Sequence, residues 1–259
     1  MTAHIPLTLG PEIQEELGVI LQGGGRLYDV TDPQWIALLE KTDKLQKQDT
    51  VAASSYKATL YSLVGDLAQV AYWVNNMRLN GDKIRSDETE SHCLANLGFA
   101  TRAAQIFPRI MELQRGHVNM YLHRGITSAC FQAVDDASNV FIKAGGKLDP
   151  ENVHLLNLAR SATAALEQLS VSESMVQRMM DKAGDIMRAE KLLWLDDHAD
   201  VDASTGPGAH VSIRYRIAVT ADRAAHLNWD LAESLAEVDL MPLGVTVSFT
   251  GTQALAQAA

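Results

Sequence analysis

Apolar residues recur at alternating spacings of three and four positions through the middle of this chain, the pattern of helices that bury one face. The longest series predicts a single helix of roughly 45 residues, which begins at Asp149-Pro150 and ends near Leu193. A lone helix of that length cannot bury its own apolar seam, so we expect it to pack on other long helices. The residues of this interaction seam are Leu155, Leu158, Leu169, Val176, Met179, Ile186 and Leu193.

Two more helical regions precede this seam. Asp49 is a suitable cap for a long helix whose apolar positions repeat with coiled-coil spacing from Tyr56 to Met77. Residues 87–145 carry another series, which Pro108 should kink. The pattern does not decide whether this region is one kinked helix or two. Its last part is rich in small residues that permit close helix approach: Ala129, Cys130, Ala133 and Ala137.

The two ends of the chain have a different texture. The N-terminal entry segment, residues 1–48, predicts a short strand at 5–9 followed by short helices. Residues 196–209 are acidic and then rich in Gly and Pro, which predicts a linker. Alternating apolar residues in 211–219 and 245–249 predict two strands on either side of a helix.

These elements together predict a mainly α fold. We expect an elongated antiparallel bundle of long helices at residues 49–195, with a small C-terminal α+β cap, strand–helix–strand, at residues 210–259 packed on the bundle.

Charge and cysteine content narrow the classes of function. The formal net charge is −10 and the sequence pI is near 5.2, which argues against nucleic acid and anionic membranes as partners. Cys93 and Cys130 form no C-x-x-C pair, so we expect two reduced thiols instead of a disulfide or a zinc site. With no leader pattern and no uninterrupted apolar stretch of membrane-spanning length, the expected location is the cytoplasm.

The acidic segment of the linker is the strongest metal candidate. Asp200, Asp202 and Ser204 stand at alternate positions, the order in which calcium loops present oxygen ligands. Such loops also need Gly at the sixth position and Glu at the twelfth, where this chain has Thr205 and Val211. A divalent cation at this loop is therefore one interpretation, and a solvated linker without any cofactor is the other.

A second candidate is a buried polar site in the bundle. His117 occupies an apolar seam position, and Glu112 and His92 are the groups that could converge with it. Carboxylate and imidazole side chains that converge in a bundle core can hold metals. The alternative interpretation is a hydrogen-bonded histidine inside the bundle, with surface histidines and capping acids around it.

No catalytic motif is present. The chain lacks a Gly-x-Ser-x-Gly elbow, a His-Glu-x-x-His pair and a phosphate loop. We expect a soluble, non-enzymatic structural or assembly protein that acts through helix-mediated self-association or binding of a protein partner. Two alternatives stay open: a metal-binding helical-bundle enzyme that uses the residues above, and a membrane-active helical protein, such as a component of a pore-forming system, that exposes the apolar residues 60–74.

Overall fold

The computed structural model describes residues 9–23, 27–193 and 199–253. Residues 5–8 of the predicted N-terminal strand and residues 196–198 of the predicted linker lie outside this part. The chain divides into two compact units, residues 1–93 and 94–259. The division falls inside a helix, at a place where the sequence pattern predicted no boundary.

Among its described residues, the first unit contains four helices and most of a fifth. They are α1 (Leu9–Gly23), α2 (Pro33–Gln46), α3 (Thr50–Leu63), α4 (Leu67–Leu79) and α5 (Lys83–Asn96), whose last residues belong to the second unit. The long helix predicted after Asp49 is wrong, because the chain turns at residues 64–66, where Gly65 has a φ of +76°. Such a backbone conformation suits glycine and ends a helix.

Aspartates start the helices of this unit. The carboxylates of Asp32, Asp49, Asp66 and Asp82 accept hydrogen bonds from backbone N–H groups in the first turns of α2, α3, α4 and α5. The helix predicted to begin at residue 87 therefore begins one turn earlier. Asp87 instead lies buried and accepts a hydrogen bond from Arg78 Nη2 at 3.1 Å.

The first unit buries a lysine side chain. Lys57 on α3 is 3% exposed. Its Nζ lies 2.5 Å from Asp43 Oδ1 and 2.5 Å from Gln46 Oε1, and 4.2 Å from the centroid of the Trp73 ring. A buried ammonium needs such partners, because desolvation without them is costly. The cluster therefore ties α2, α3 and α4 together.

The second unit opens with three short helices. They are α6 (Ala100–Leu113), α7 (Leu122–Thr127) and α8 (Phe131–Lys143), with a single 3-10 turn (Val118–Met120) before α7. Residues 87–145 are thus neither one bent helix nor two, because the helical structure is interrupted at Gly98 and at residues 114–117 and 128–130. Pro108 lies inside α6, as predicted.

The predicted helix of roughly 45 residues is two helices, α9 (Pro150–Leu169) and α10 (Glu173–Ala189). They are separated at Ser170, which adopts the left-handed conformation with a φ of 57°. The spacing of three and four continues through the break, because Ser172 occupies the position between Leu169 and Val176 in the series. Periodicity alone therefore concealed the turn.

The C-terminal segment forms a three-stranded sheet. β1 (Ala199–Ser204) pairs antiparallel with β2 (His210–Thr220), which pairs in parallel with β3 (Val245–Gln253) after the crossover helix α11 (Ala221–Glu237). The predicted mainly α fold with a strand–helix–strand cap is confirmed. The prediction of a linker is wrong for residues 199–204, which form β1. The apolar face of the sheet shares one core with α6–α11.

Candidate functional site

A groove lies between α6 and α8 in the second unit and is here called the α6–α8 groove. Its volume is about 300 Å³ and its lining is mostly apolar. Each side contributes residues at i, i+3, i+4 and i+7, the spacing of one helix face, although the last residue of the first side, Arg115, lies in the turn that follows α6. The lining residues are Pro108, Met111, Glu112 and Arg115 on the first side, and Ala133, Asp136, Ala137 and Val140 on the second.

Carboxylates from α10 hold the starts of both helices. Neither Phe99 before α6 nor Cys130 before α8 provides a side-chain cap. Instead, Asp181 Oδ1 accepts a hydrogen bond from the Thr101 N–H at 3.0 Å, and Glu173 Oε1 accepts one from the Gln132 N–H at 2.6 Å. The first-turn N–H groups that helices leave unpaired are thus satisfied from a distant part of the sequence.

α10 approaches the start of α6 through two glycines. A methyl group on Gly184 would lie 1.9 Å from the carbonyl oxygen of Gly98, and one on Gly98 would lie 2.4 Å from the Gly184 Cα atom. Arg188 strengthens the same contact, because its Nη1 donates to the Leu97 carbonyl at 2.5 Å and its guanidinium stacks 3.8 Å from the Phe99 ring centroid. Asp181, which caps the start of α6, lies three residues before Gly184 on the same helix.

Cys130 lies near the carbonyl that the proline in α6 leaves without its usual donor. Proline has no N–H to donate to the carbonyl four residues earlier, which is that of Ala104. The Cys130 thiol lies 3.6 Å from the Ser128 carbonyl oxygen and 3.9 Å from the Ala104 carbonyl oxygen, and its single hydrogen can form a weak hydrogen bond with one of them at a time. Burial raises the pKa of this thiol far above its usual value, so Cys130 is a packed thiol and no nucleophile.

Two carboxylates lie close together at the beginning of α8. Gln132 joins them, because its N–H donates to Glu173 and its Nε2 donates to Asp136 Oδ1 at 3.0 Å. Burial raises the pKa of the Glu173 carboxyl, the nearby charge of Asp136 raises it further, and hydrogen bonds from Gln132 and Phe131 oppose this shift. Negative charge is therefore concentrated around Gln132, beside the groove residue Asp136.

The residues predicted for a buried polar site are distributed differently. Glu112 is exposed at the rim of the groove and forms an ion pair with Arg115 at 3.2 Å. His117 is exposed and precedes the 3-10 turn, so the expectation that it lies in an apolar seam is wrong. His92 is half-buried on α5 in the other unit.

The residues predicted for a cation site lie on β1. Asp202 and Ser204 flank His210 across the hairpin: His210 Nε2 is 2.7 Å from Asp202 Oδ2, and its Nδ1 is 2.9 Å from Ser204 Oγ. Asp200 instead faces Arg216 at 3.7 Å. The hydrogen bond to Asp202 raises the pKa of His210. Over residues 9–23, 27–193 and 199–253, no three His, Cys, Asp or Glu side chains are grouped so that they could hold a metal.

The predicted interaction seam contributes to the core of its own unit. Val176, Met179 and Leu193 are buried. The other four seam residues are half-buried and pack against the core. Three of them are on α9 and one is on α10: Leu155, Leu158 and Leu169, and Ile186. A continuous seam for a partner is therefore replaced by two shorter internal faces.

The apolar residues 60–74 do not form one helix. They are divided between α3, the turn at residues 64–66 and α4. Within the part of the chain that the structure describes, no helix has the length and apolar character needed to cross a membrane.

Comparison with known proteins adds no relative: the chain matches no family model, no curated protein and no solved structure.

Sequence reasoning found part of the groove. Ala133 and Ala137 were recognised as small residues suited to close helix approach, and both line it. Sequence reasoning did not identify Val140, Asp136 or Glu173 as residues of this site. The spacing of Ala133, Ala137 and Val140 was a usable signal, since it marks one helix face, whereas nothing local connects Glu173 with α8.

Proposed function

We propose that this protein is a non-enzymatic assembly protein that binds an amphipathic helix of a protein partner in the α6–α8 groove. The observation that carries the proposal is the matched spacing on its two sides. α8 and the end of α6 each present a helix face to the same open cavity, and Arg115 in the turn after α6 continues the spacing on that side; this arrangement can receive a third helix.

The side chains of the groove suit a close helix contact. Ala133 and Ala137 are small, so the backbone of a bound helix can approach α8 closely. Val140 is 48% exposed, and its burial under a partner would contribute favourable free energy. The ion pair of Glu112 with Arg115 lies at the rim, where it can remain in water.

A matched pair of substitutions tests this function. Val140 and Ile142 are both on α8 and are 48% and 45% exposed, but only Val140 lines the groove. The probe is a fluorescein-labelled amphipathic peptide of about 20 residues, long enough to hold a helix in water, with leucines on one face. We expect Val140→Asp to weaken its binding about tenfold or more, since a carboxylate would enter an apolar groove, and Ile142→Asp to leave it unchanged. Fluorescence anisotropy gives both affinities.

Three results would contradict the proposal. The first is that the peptide does not bind at all, the second is that both variants lose binding equally, and the third is that a second copy of the chain occupies the groove. Light scattering on a size-exclusion column detects the last case as a dimer that Val140→Asp dissociates and Ile142→Asp does not. Circular dichroism of each variant confirms that its helix content is unchanged.

A further inference from the structure

An acidic pair lies beside the α6–α8 groove, near the start of α8. Asp136 lines the groove, and Glu173 is linked to it through Gln132, which donates a hydrogen bond to each carboxylate. Both carboxylates are held in place by these bonds, so they present negative charge from defined positions instead of from mobile side chains.

This pair differs from the next carboxylate on the same helix. Asp135 Oδ1 forms an ion pair with Arg160 Nε at 2.7 Å. Neither Asp136 nor Glu173 has such a cation among the described residues, and their mutual repulsion contributes to the raised pKa of Glu173. A positive group at this pair would relieve that repulsion.

We infer that the helix bound in the α6–α8 groove is a basic one, which places a Lys or Arg side chain against Asp136 and Glu173. This inference rests on the proposed function, since it names the chemistry of the partner at the same site. A cation over two fixed carboxylates gives specificity and orientation, because only one direction of the bound helix brings its basic residue to this pair.

Two peptides test the inference. They share the leucine face described above and differ only at the polar positions beside it, which are lysines in one and glutamates in the other. We expect the lysine peptide to bind about tenfold or more tightly. The preference should fall several-fold in Asp136→Asn, and further in the double variant Asp136→Asn with Glu173→Gln. Gln keeps an oxygen that can accept the Gln132 N–H, so α8 retains its cap.

Asp135→Asn is the matched control. It removes one negative charge from the same helix, but that charge already has Arg160 as a partner, so the preference for lysine should remain. If the preference survives in the double variant, the net charge of −10 explains it and the inference is wrong. Equal binding of both peptides, still lost in Val140→Asp, would overturn the inference and leave the proposed function intact. Binding of neither would overturn both.

Discussion

The helices of the two units begin in two different ways. In the first unit, α2 to α5 each start with an aspartate that precedes the helix in sequence and caps its own first turn. In the second, α6 and α8 start without a local cap and receive their acceptors from α10. A helix of the first kind carries its start signal in its sequence, whereas one of the second kind acquires it only when the unit has packed.

The distant caps give α10 an organising role. Glu173 and Asp181 are eight positions apart on it, about 12 Å along the helix axis. One helix thereby fixes the starts of both helices that form the α6–α8 groove. The width of the groove thus depends on a helix that does not line it.

Separating α10 from α6 should have the largest effect. Gly184→Ala places a methyl group against the Gly98 carbonyl, so α10 must move and the Asp181 cap is lost with it. We expect the free energy of unfolding to fall by about 3 kcal/mol, measured by chemical denaturation. Gly18→Ala on α1 is the control, because a methyl group there meets nothing within 4 Å and should be neutral or stabilising by up to about 1 kcal/mol.

Removing one cap of each kind compares them directly. Asp49→Ala removes the acceptor for the Ala52 N–H and should cost about 1 kcal/mol. Asp181→Ala removes the acceptor for the Thr101 N–H inside a packed contact and should cost about 2 kcal/mol. Denaturation of both variants measures the difference. A cost near zero for Asp181→Ala would show that the distant cap contributes nothing to the start of α6.

The end of α9 offers a change in the opposite direction. Ser170 is exposed and left-handed, with a φ of 57°, a conformation that costs a residue with a side chain about 1 kcal/mol relative to glycine. Ser170→Gly should therefore raise the free energy of unfolding by about that amount. Thermal and chemical denaturation would both detect it, and a destabilised variant would contradict the role of this residue as a helix end.

The smallest expected effect is a change in pH dependence at Glu173. Burial raises the pKa of this carboxyl in the folded state, so its contribution to stability is greatest below the unfolded-state pKa and is lost as pH rises through the folded-state pKa. Glu173→Gln should remove this loss. Relative to the wild type, the variant should therefore gain stability as pH rises from the unfolded-state pKa of Glu173 to its folded-state pKa. A constant difference across pH would refute the assignment.

The contrast between local caps and distant caps also explains which features could be predicted from the sequence. The cap at Asp49 was predicted because the acceptor lies beside the helix that it starts. The turn at Gly65 and the break at Ser170 were missed because apolar spacing continued through both, and Ser170 has no sequence signal of a left-handed residue. The alternation in β2 predicted its strand correctly, since one face of that sheet is buried and the other is not.

The groove could be predicted only in part, for a physical reason. The small residues on α8 are visible in the sequence, but a groove needs two helices at a set distance. That distance depends on Gly98 meeting Gly184 and on Glu173 meeting Gln132, pairs far apart along the chain. Contacts of this kind arise from packing and leave no periodic pattern.

The two cysteines have a practical consequence. The chain has only two, both buried, with Cys93 in the first unit and Cys130 in the second. A thiol reagent can modify each one only after its own surroundings have opened. The rate of modification of Cys93 therefore measures local opening in the first unit, and that of Cys130 measures local opening in the second. Equal rates would mean that the chain opens in one cooperative step, and unequal rates would rank the kinetic resistance of its two halves.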